Sequence, residues 1–205
     1  LRNHHQTTDI EVSDMWWEPI GTGQVGDSVR FHLGYSSTET GPPTLAAKFS
    51  AEDQVSRSTA ALMGLYAKEV NFYRFVAWHL DVRLPQVLVA EVSEDGQGQS
   101  LLFEDLGPAR GGKQIAGCGV EEARSAICQA AAIHAPSWHN PDILNVDWLQ
   151  RSPELSAKIA AMYPHAHSVF RERYSDLLEP EYMAICEELA AIPEYFRKAG
   201  TSPQC

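Results

Sequence analysis

The sequence has few cysteines and little positive charge. Its 205 residues include only 4 cysteines, which form no Cys-x-x-Cys pair and no metal-ligand spacing. Such a set is typical of reduced thiols and favours a cytoplasmic protein over a disulfide-stabilised secreted one. The 16 Lys and Arg residues are outnumbered by 27 Asp and Glu, giving a net charge of −11. This balance argues against nucleic acid or an anionic membrane as a main partner.

Long apolar runs, low-complexity tracts and internal repeats are also lacking. No stretch approaches the roughly 20 apolar residues that a membrane-spanning helix needs, so no membrane partner is expected. The composition, with 44% hydrophobic and 21% charged residues, is ordinary for a globular protein. A chain of this length can bury one large core or build two small lobes.

Three glycines form a G-x-G-x-x-G motif near the start of the chain, at Gly21, Gly23 and Gly26. In dinucleotide-binding folds a helix follows such a motif, whereas in the protein-kinase fold a strand follows it. Here apolar and other residues alternate after the last glycine, with apolar side chains at Val29, Phe31, Leu33 and Tyr35. A period of two predicts a strand. The motif therefore favours a glycine-rich loop over ATP phosphates, and a dinucleotide-binding enzyme is the weaker alternative.

The periodicities predict an α+β chain. Strands are expected at residues 15–20, 28–35, 44–49, 86–92 and 100–104, with one long helix at 54–79. After residue 106 the pattern is helical, at 119–134, from Ser152-Pro153 onward, and at 180–198 before Gly200. We expect a five-stranded antiparallel sheet with one long helix in a lobe of residues 1–106. A partial helical lobe at 107–205 would follow it.

A lysine and a glutamate interrupt apolar surroundings in the first lobe. Lys48 lies in Leu45-Ala-Ala-Lys48-Phe49, and Glu69 falls on the apolar face of the predicted helix. Because burial of an unpaired carboxylate is costly, the sequence predicts an ion pair between them, as in kinases. Alternatively, Glu69 lies at the edge of this apolar face, where it is solvated, next to Lys68. The apolar strand at 101–103 then ends at Glu104-Asp105, which is either a nucleotide-binding connection or an ordinary hinge.

Taken in order, these motifs resemble the aminoglycoside phosphotransferase and choline-kinase-like superfamily, and most closely its ecdysteroid-kinase-like branch, which has bacterial members. The resemblance covers about residues 15–150. The matching segments are Gly21-Thr-Gly-Gln-Val-Gly26, Ala47-Lys48-Phe, Tyr66-Ala-Lys-Glu69-Val-Asn-Phe-Tyr73, Leu102-Phe-Glu-Asp-Leu106, Gln114-Ile-Ala-Gly117 and Ala132-Ile-His134-Ala-Pro-Ser-Trp138.

This resemblance implies a protein-kinase-like two-lobe fold and ATP-dependent phosphorylation of a hydroxyl group on a small molecule. Carried over by position, Gly21, Gly23 and Gly26 would cover the phosphates. Lys48 would contact the phosphates, oriented by Glu69. The carbonyl of Glu104 and the amide of Leu106 would bind adenine.

Phosphoryl transfer in such a fold also requires a catalytic aspartate and Mg²⁺ ligands. In the family these come from an H-x-D-x-x-x-x-N loop. The only H-x-D here is His79-Leu-Asp81, with Gln86 in place of asparagine and in the wrong lobe. We therefore expect no catalytic residue and no metal ligand in this chain, and Mg²⁺ ligands only beyond Cys205.

The chain is thus expected to be a fragment, inactive on its own, that self-associates through its incomplete helical lobe. The alternative is a non-catalytic nucleotide-binding or interaction module that is derived from the same fold.

Overall fold

The computed structural model describes residues 10–192, except 22, 37, 39, 40, 114 and 151. The end of the helix predicted at 180–198, Gly200 and the start of the chain lie outside the described residues. The chain divides into two compact units, Leu1–Ser137 and Trp138–Cys205. The lobe boundary predicted between residues 106 and 107 stays a prediction.

The first unit contains one antiparallel sheet of five strands. The strands are β1 (Val12–Pro19), β2 (Gly26–Tyr35), β3 (Thr44–Ser50), β4 (Val87–Val92) and β5 (Gln99–Glu104). Their order in the sheet is β1-β2-β3-β5-β4, and every neighbouring pair is antiparallel. The predicted α+β class and five-stranded antiparallel sheet are therefore confirmed.

The register of the strands decides which side chains share a face. Ala46 lies opposite Arg30 on β2 and Phe103 on β5. Lys48 lies opposite Ser28 and Leu101. Since side chains alternate along a strand, Ala46 and Lys48 are on the same face of β3, about 7 Å apart along the strand.

The prediction of one long helix at 54–79 was wrong. The segment is divided into α1 (Gln54–Leu62), α2 (Leu65–Asn71), a π-helical turn (Phe72–Val76) and a 3₁₀ turn (Ala77–His79). Gly64 breaks the helix because it adopts the left-handed conformation, with a φ of 66°, and its amide bonds back to Ala61 O at 2.9 Å. A left-handed glycine is a common helix terminator.

The helix α2 packs its apolar side on the sheet. Val70 of α2 is fully buried and forms the centre of the core with Leu101 and Phe103 of β5. Ala46, Tyr73, Val87, Ala90 and Val92 pack around these three residues. The core therefore fixes α2, and with it Glu69, against the side of the sheet that carries Lys48.

The remaining described helices are α3 (Val120–Ser137) in the first unit, and α4 (Pro141–Leu144), α5 (Pro153–Tyr174) and α6 (Pro180–Ala190) in the second, with a 3₁₀ turn at Asp147–Leu149. Ser152 caps α5 as expected, since its hydroxyl accepts a hydrogen bond from Leu155 N at 3.3 Å. Within the described residues, no helix has both the length and the apolar character needed to cross a membrane.

Candidate functional site

The glycine-rich loop leads into β2, whose first residue is Gly26, and two of the motif's glycines have no room for a side chain. A Cβ on Gly26 would lie 2.8 Å from the carbonyl oxygen of Phe49 and 3.1 Å from Cε of Lys48. A Cβ on Gly23 would overlap the carbonyl oxygen of Gly26. The loop is thus folded tightly on itself, and its last glycine lies directly against Lys48.

Lys48 and Glu69 form the ion pair that the sequence predicts. Nζ of Lys48 donates to both carboxylate oxygens of Glu69, at 2.8 Å each. Their side chains are 29% and 30% exposed, so the pair is largely shielded but still reached by solvent. An ammonium has three N–H donors, and the two that bind Glu69 leave the third for an anionic group.

Gln99 adds a third side chain to this pair. It is the first residue of β5, it is only 4% exposed, and its Nε2 donates to Oε2 of Glu69 at 3.3 Å. Its Oε1 is buried and has no hydrogen-bond partner among the described residues. The carboxylate of Glu69 therefore accepts hydrogen bonds from two strands at once, from Lys48 on β3 and Gln99 on β5.

Tyr66, one turn before Glu69, attaches the glycine-rich loop to α2. Its hydroxyl donates to the carbonyl oxygen of Val25 at 2.7 Å and accepts from the amide of Ala51 at 3.2 Å. Tyr66 is fully buried. A single phenol thus fixes the loop and the end of β3 relative to the helix that carries Glu69.

A cavity of about 420 Å³ lies on the same face of the sheet, between the start of the glycine-rich loop and the end of β5. Its apolar walls include Ile20, Ala46, Pro85 and Phe103. Cavities that bind small molecules in proteins have volumes of roughly 300–1,000 Å³ and largely apolar walls. The cavity is large enough to accommodate a purine ring.

The end of β5 and the residues that follow it provide the polar edge of this cavity. Glu104 and Leu106 both line it, and the amide of Leu106 has no hydrogen-bond partner among the described residues. The carboxylate of Glu104 is paired with Arg83, at 2.7 Å. Within the described part of the chain, Leu106 therefore brings a backbone N–H without an internal partner to the segment that borders the cavity.

An ion pair between Arg30 and Asp105 joins β2 to the segment after β5. Nε and Nη2 of Arg30 donate to the two carboxylate oxygens of Asp105 at 2.6 and 3.2 Å. These hydrogen bonds, together with one from the amide of Gly107, lower the pKa of Asp105 to about 2. Nη1 of Arg30 also reaches Glu18 at 3.3 Å. The network holds one wall of the cavity in place.

The predicted site residues fall into two adjoining groups. Gly21, Glu104 and Leu106 line the cavity. Gly26, Lys48 and Glu69 form a second group, which does not line the cavity. Gly23 lies in the loop between Gly21 and Gly26. The two groups are connected along β3, because Ala46 belongs to the cavity and Lys48 is the next residue on the same face.

Sequence reasoning missed Gln99, the hydroxyl of Tyr66 and the pair between Arg30 and Asp105. A signal for Gln99 is present in the sequence. It lies two residues before Leu101 and four before Phe103, so its side chain is on the same face of β5 and points to the core. The other contacts gave no such signal, because they join positions that are 15 to 75 residues apart in sequence.

Among the residues that the structure describes, no group of three or more His, Cys, Asp or Glu side chains is arranged to hold a metal ion. No protein-family model matches the sequence. A search of curated proteins also found no match. The assignment of a function therefore depends on the geometry of the loop, the ion pair and the cavity.

Proposed function

We propose that this chain binds ATP and belongs to an ATP-dependent small-molecule phosphotransferase of the aminoglycoside phosphotransferase and choline-kinase-like type. The observation that carries the proposal is the ion pair between Lys48 and Glu69, located beneath Gly26 and beside a purine-sized cavity. A two-lobe kinase-like fold, with the nucleotide bound in the first lobe, is part of the same proposal.

The proposed roles follow from position. Adenine would occupy the cavity, with its faces against Ile20 and Ala46 and its polar edge bonded to the carbonyl of Glu104 and the amide of Leu106. The triphosphate would extend from the cavity along β3 towards Lys48. Gly21, Gly23 and Gly26 would allow the loop backbone to approach the phosphates closely.

The remaining N–H donor of Lys48 suits a phosphate ligand. Glu69 neutralises Lys48 in the free protein and holds its ammonium in a fixed position. An arriving phosphate would bind the remaining N–H donor without displacing Glu69. Bound ATP would supply the phosphoryl group, and a hydroxylated small molecule would accept it.

The alternative function is a non-catalytic nucleotide-binding or interaction module. The observation that favours it is the sequence itself, since no H-x-D-x-x-x-x-N segment occurs in the 205 residues. A nucleotide-binding module would share the nucleotide site and lack only phosphoryl transfer, whereas an interaction module would not need ATP.

The proposal is tested by filling the cavity. Substitution Ala46→Phe places a ring where adenine would lie, whereas Ala132→Phe adds the same side chain on α3, away from the cavity. Isothermal titration calorimetry is expected to show saturable ATP binding for the wild type and for Ala132→Phe, and none for Ala46→Phe. Equal binding of ATP by the three proteins, or no binding by the wild type, would contradict the proposed site.

A further inference from the structure

The environment of Gln99 differs from that of the other polar side chains near the candidate site. Lys48 and Glu69 each keep nearly a third of their side-chain surface exposed, whereas Gln99 is buried. A buried primary amide can donate two hydrogen bonds and accept two. In the described residues, its one side-chain hydrogen bond is the one that Nε2 donates to Glu69.

The position of Gln99 is fixed by the backbone. Gln99 on β5 lies opposite Val92 on β4. Its side chain is on the same face of β5 as Leu101 and Phe103, which pack on Val70 of α2. Gln99 is therefore a rigid neighbour of the helix that carries Glu69. A Cβ on Gly26 would also lie 3.6 Å from its Nε2, so the glycine-rich loop approaches the same amide.

Without Glu69 the amide of Gln99 would lose its side-chain hydrogen bond in a buried place. A buried polar group without a partner is unfavourable, because it has given up its hydrogen bonds to water. Rotation of Glu69 away from Lys48 would thus carry a second penalty, in addition to the loss of the ion pair. The amide favours the arrangement in which Glu69 accepts from both residues.

We propose that Gln99 is a positioning residue, which holds the carboxylate of Glu69 in the orientation that pairs with Lys48. It acts through Glu69 and does not touch the ligand. Its consequence for phosphate binding rests on the proposed function. The effect on the ion pair itself does not, and it can be measured in the free protein.

The ion pair is tested by the rate at which an acetyl N-hydroxysuccinimide ester acylates Lys48, followed by peptide mass spectrometry. Gln99→Met keeps the volume of the side chain and removes its polar atoms. Its Lys48 is expected to react about two- to tenfold faster, the population change that one hydrogen bond of ordinary net strength produces. Gln97→Met, at an exposed position in the β4–β5 turn, is the matched control and is expected to react as the wild type.

A second substitution separates positioning from general loosening of the core. Glu69→Gln is expected to speed acylation of Lys48 by itself, and Gln99→Met in that background is expected to add nothing. Wild-type rates in Gln99→Met, or an equal acceleration with and without Glu69, would overturn the proposal.

Nucleotide affinity then distinguishes this inference from the proposed function. Gln99→Met is expected to weaken ATP binding about two- to tenfold and to leave adenosine binding unchanged, since the effect passes through Lys48 to the phosphates. An equal loss for ATP and adenosine would contradict the positioning role. If the wild type binds no ATP while the acylation results hold, the proposed function fails and the role of Gln99 in the ion pair stands.

Discussion

Substitution of Gly26 by alanine tests how closely the glycine-rich loop packs on Lys48. The new Cβ would lie 2.8 Å from the carbonyl oxygen of Phe49 and 3.1 Å from Cε of Lys48. Carbon–oxygen contacts in proteins are ordinarily about 3.3 Å or longer, so the backbone must move by about 0.5 Å. Gly26 is paired with Ser50 at the end of the β2–β3 ladder, and this movement would strain the ladder.

The magnitude follows from two opposing effects. Overpacking of a well-packed site costs about 1–3 kcal/mol. Replacement of glycine by alanine stabilises the folded state by about 0.4–1 kcal/mol, because it lowers the conformational entropy of the unfolded chain. We therefore expect Gly26→Ala to lower the free energy of unfolding by about 0.5–2 kcal/mol. Displacement of Lys48 should also weaken ATP binding about tenfold, since hydrogen bonds to charged groups contribute about 1.5–3 kcal/mol.

The assay is urea unfolding followed by tryptophan fluorescence, together with calorimetric titration of ATP. Gly112→Ala is the matched control, because a Cβ on Gly112 meets nothing within 4 Å and its φ is not in the left-handed region. The control is expected to be as stable as the wild type or slightly more stable. If Gly26→Ala behaves like Gly112→Ala in both measurements, the packing of the loop on Lys48 described here is wrong.

Three further outcomes are expected. Tyr66→Phe should lower the free energy of unfolding by about 1–3 kcal/mol, because two backbone groups lose their partner. Tyr182→Phe, at an exposed position on α6, should change it by less than about 0.5 kcal/mol, and equal losses in urea unfolding would contradict the role of the Tyr66 hydroxyl. The pKa of Asp105 is lowered to about 2, so its contribution to stability is complete above about pH 5 and is lost progressively as the pH falls towards 2. Unfolding measured between these pH values should show a larger loss of stability in the wild type than in Asp105→Asn, and parallel curves would refute it. The purified 205-residue chain should transfer no labelled phosphate from ATP to a panel of hydroxylated substrates. Its sequence contains no H-x-D-x-x-x-x-N segment to supply the general base, and a general base alone contributes about 10²–10⁴-fold to the reaction rate. Measurable transfer would show that the catalytic centre lies within these residues.

The sheet could be predicted from the sequence because each strand carries its own signal. Apolar and polar residues alternate in β2, β5 contains an apolar run at 101–103, and turn residues separate the strands, so each strand can be located to within three residues. The helix was predicted less well. Its apolar spacing of three and four continues through Gly64, and the periodicity hid the left-handed turn that this glycine forms.

The ion pair could be predicted because Glu69 interrupts an apolar face and Lys48 interrupts an apolar strand. The cavity and its supporting contacts could not. The distance between Arg30 and Asp105 depends on the order of β2, β3 and β5 in the sheet, and neither residue stands out from its neighbours in sequence. Likewise, the contact of Gln99 with Glu69 depends on how α2 packs on β5.

The central claim, a nucleotide site with Lys48 at the phosphates, is tested most directly by the affinities of ATP and adenosine for Lys48→Met. Lys158→Met, at an exposed position on α5, makes the same change of charge and serves as the control. Lys48→Met is expected to bind ATP at least about tenfold more weakly than the wild type, and adenosine equally well, because hydrogen bonds to charged groups contribute about 1.5–3 kcal/mol. An unchanged ATP affinity in Lys48→Met, or the same loss in Lys158→Met, would contradict the claim.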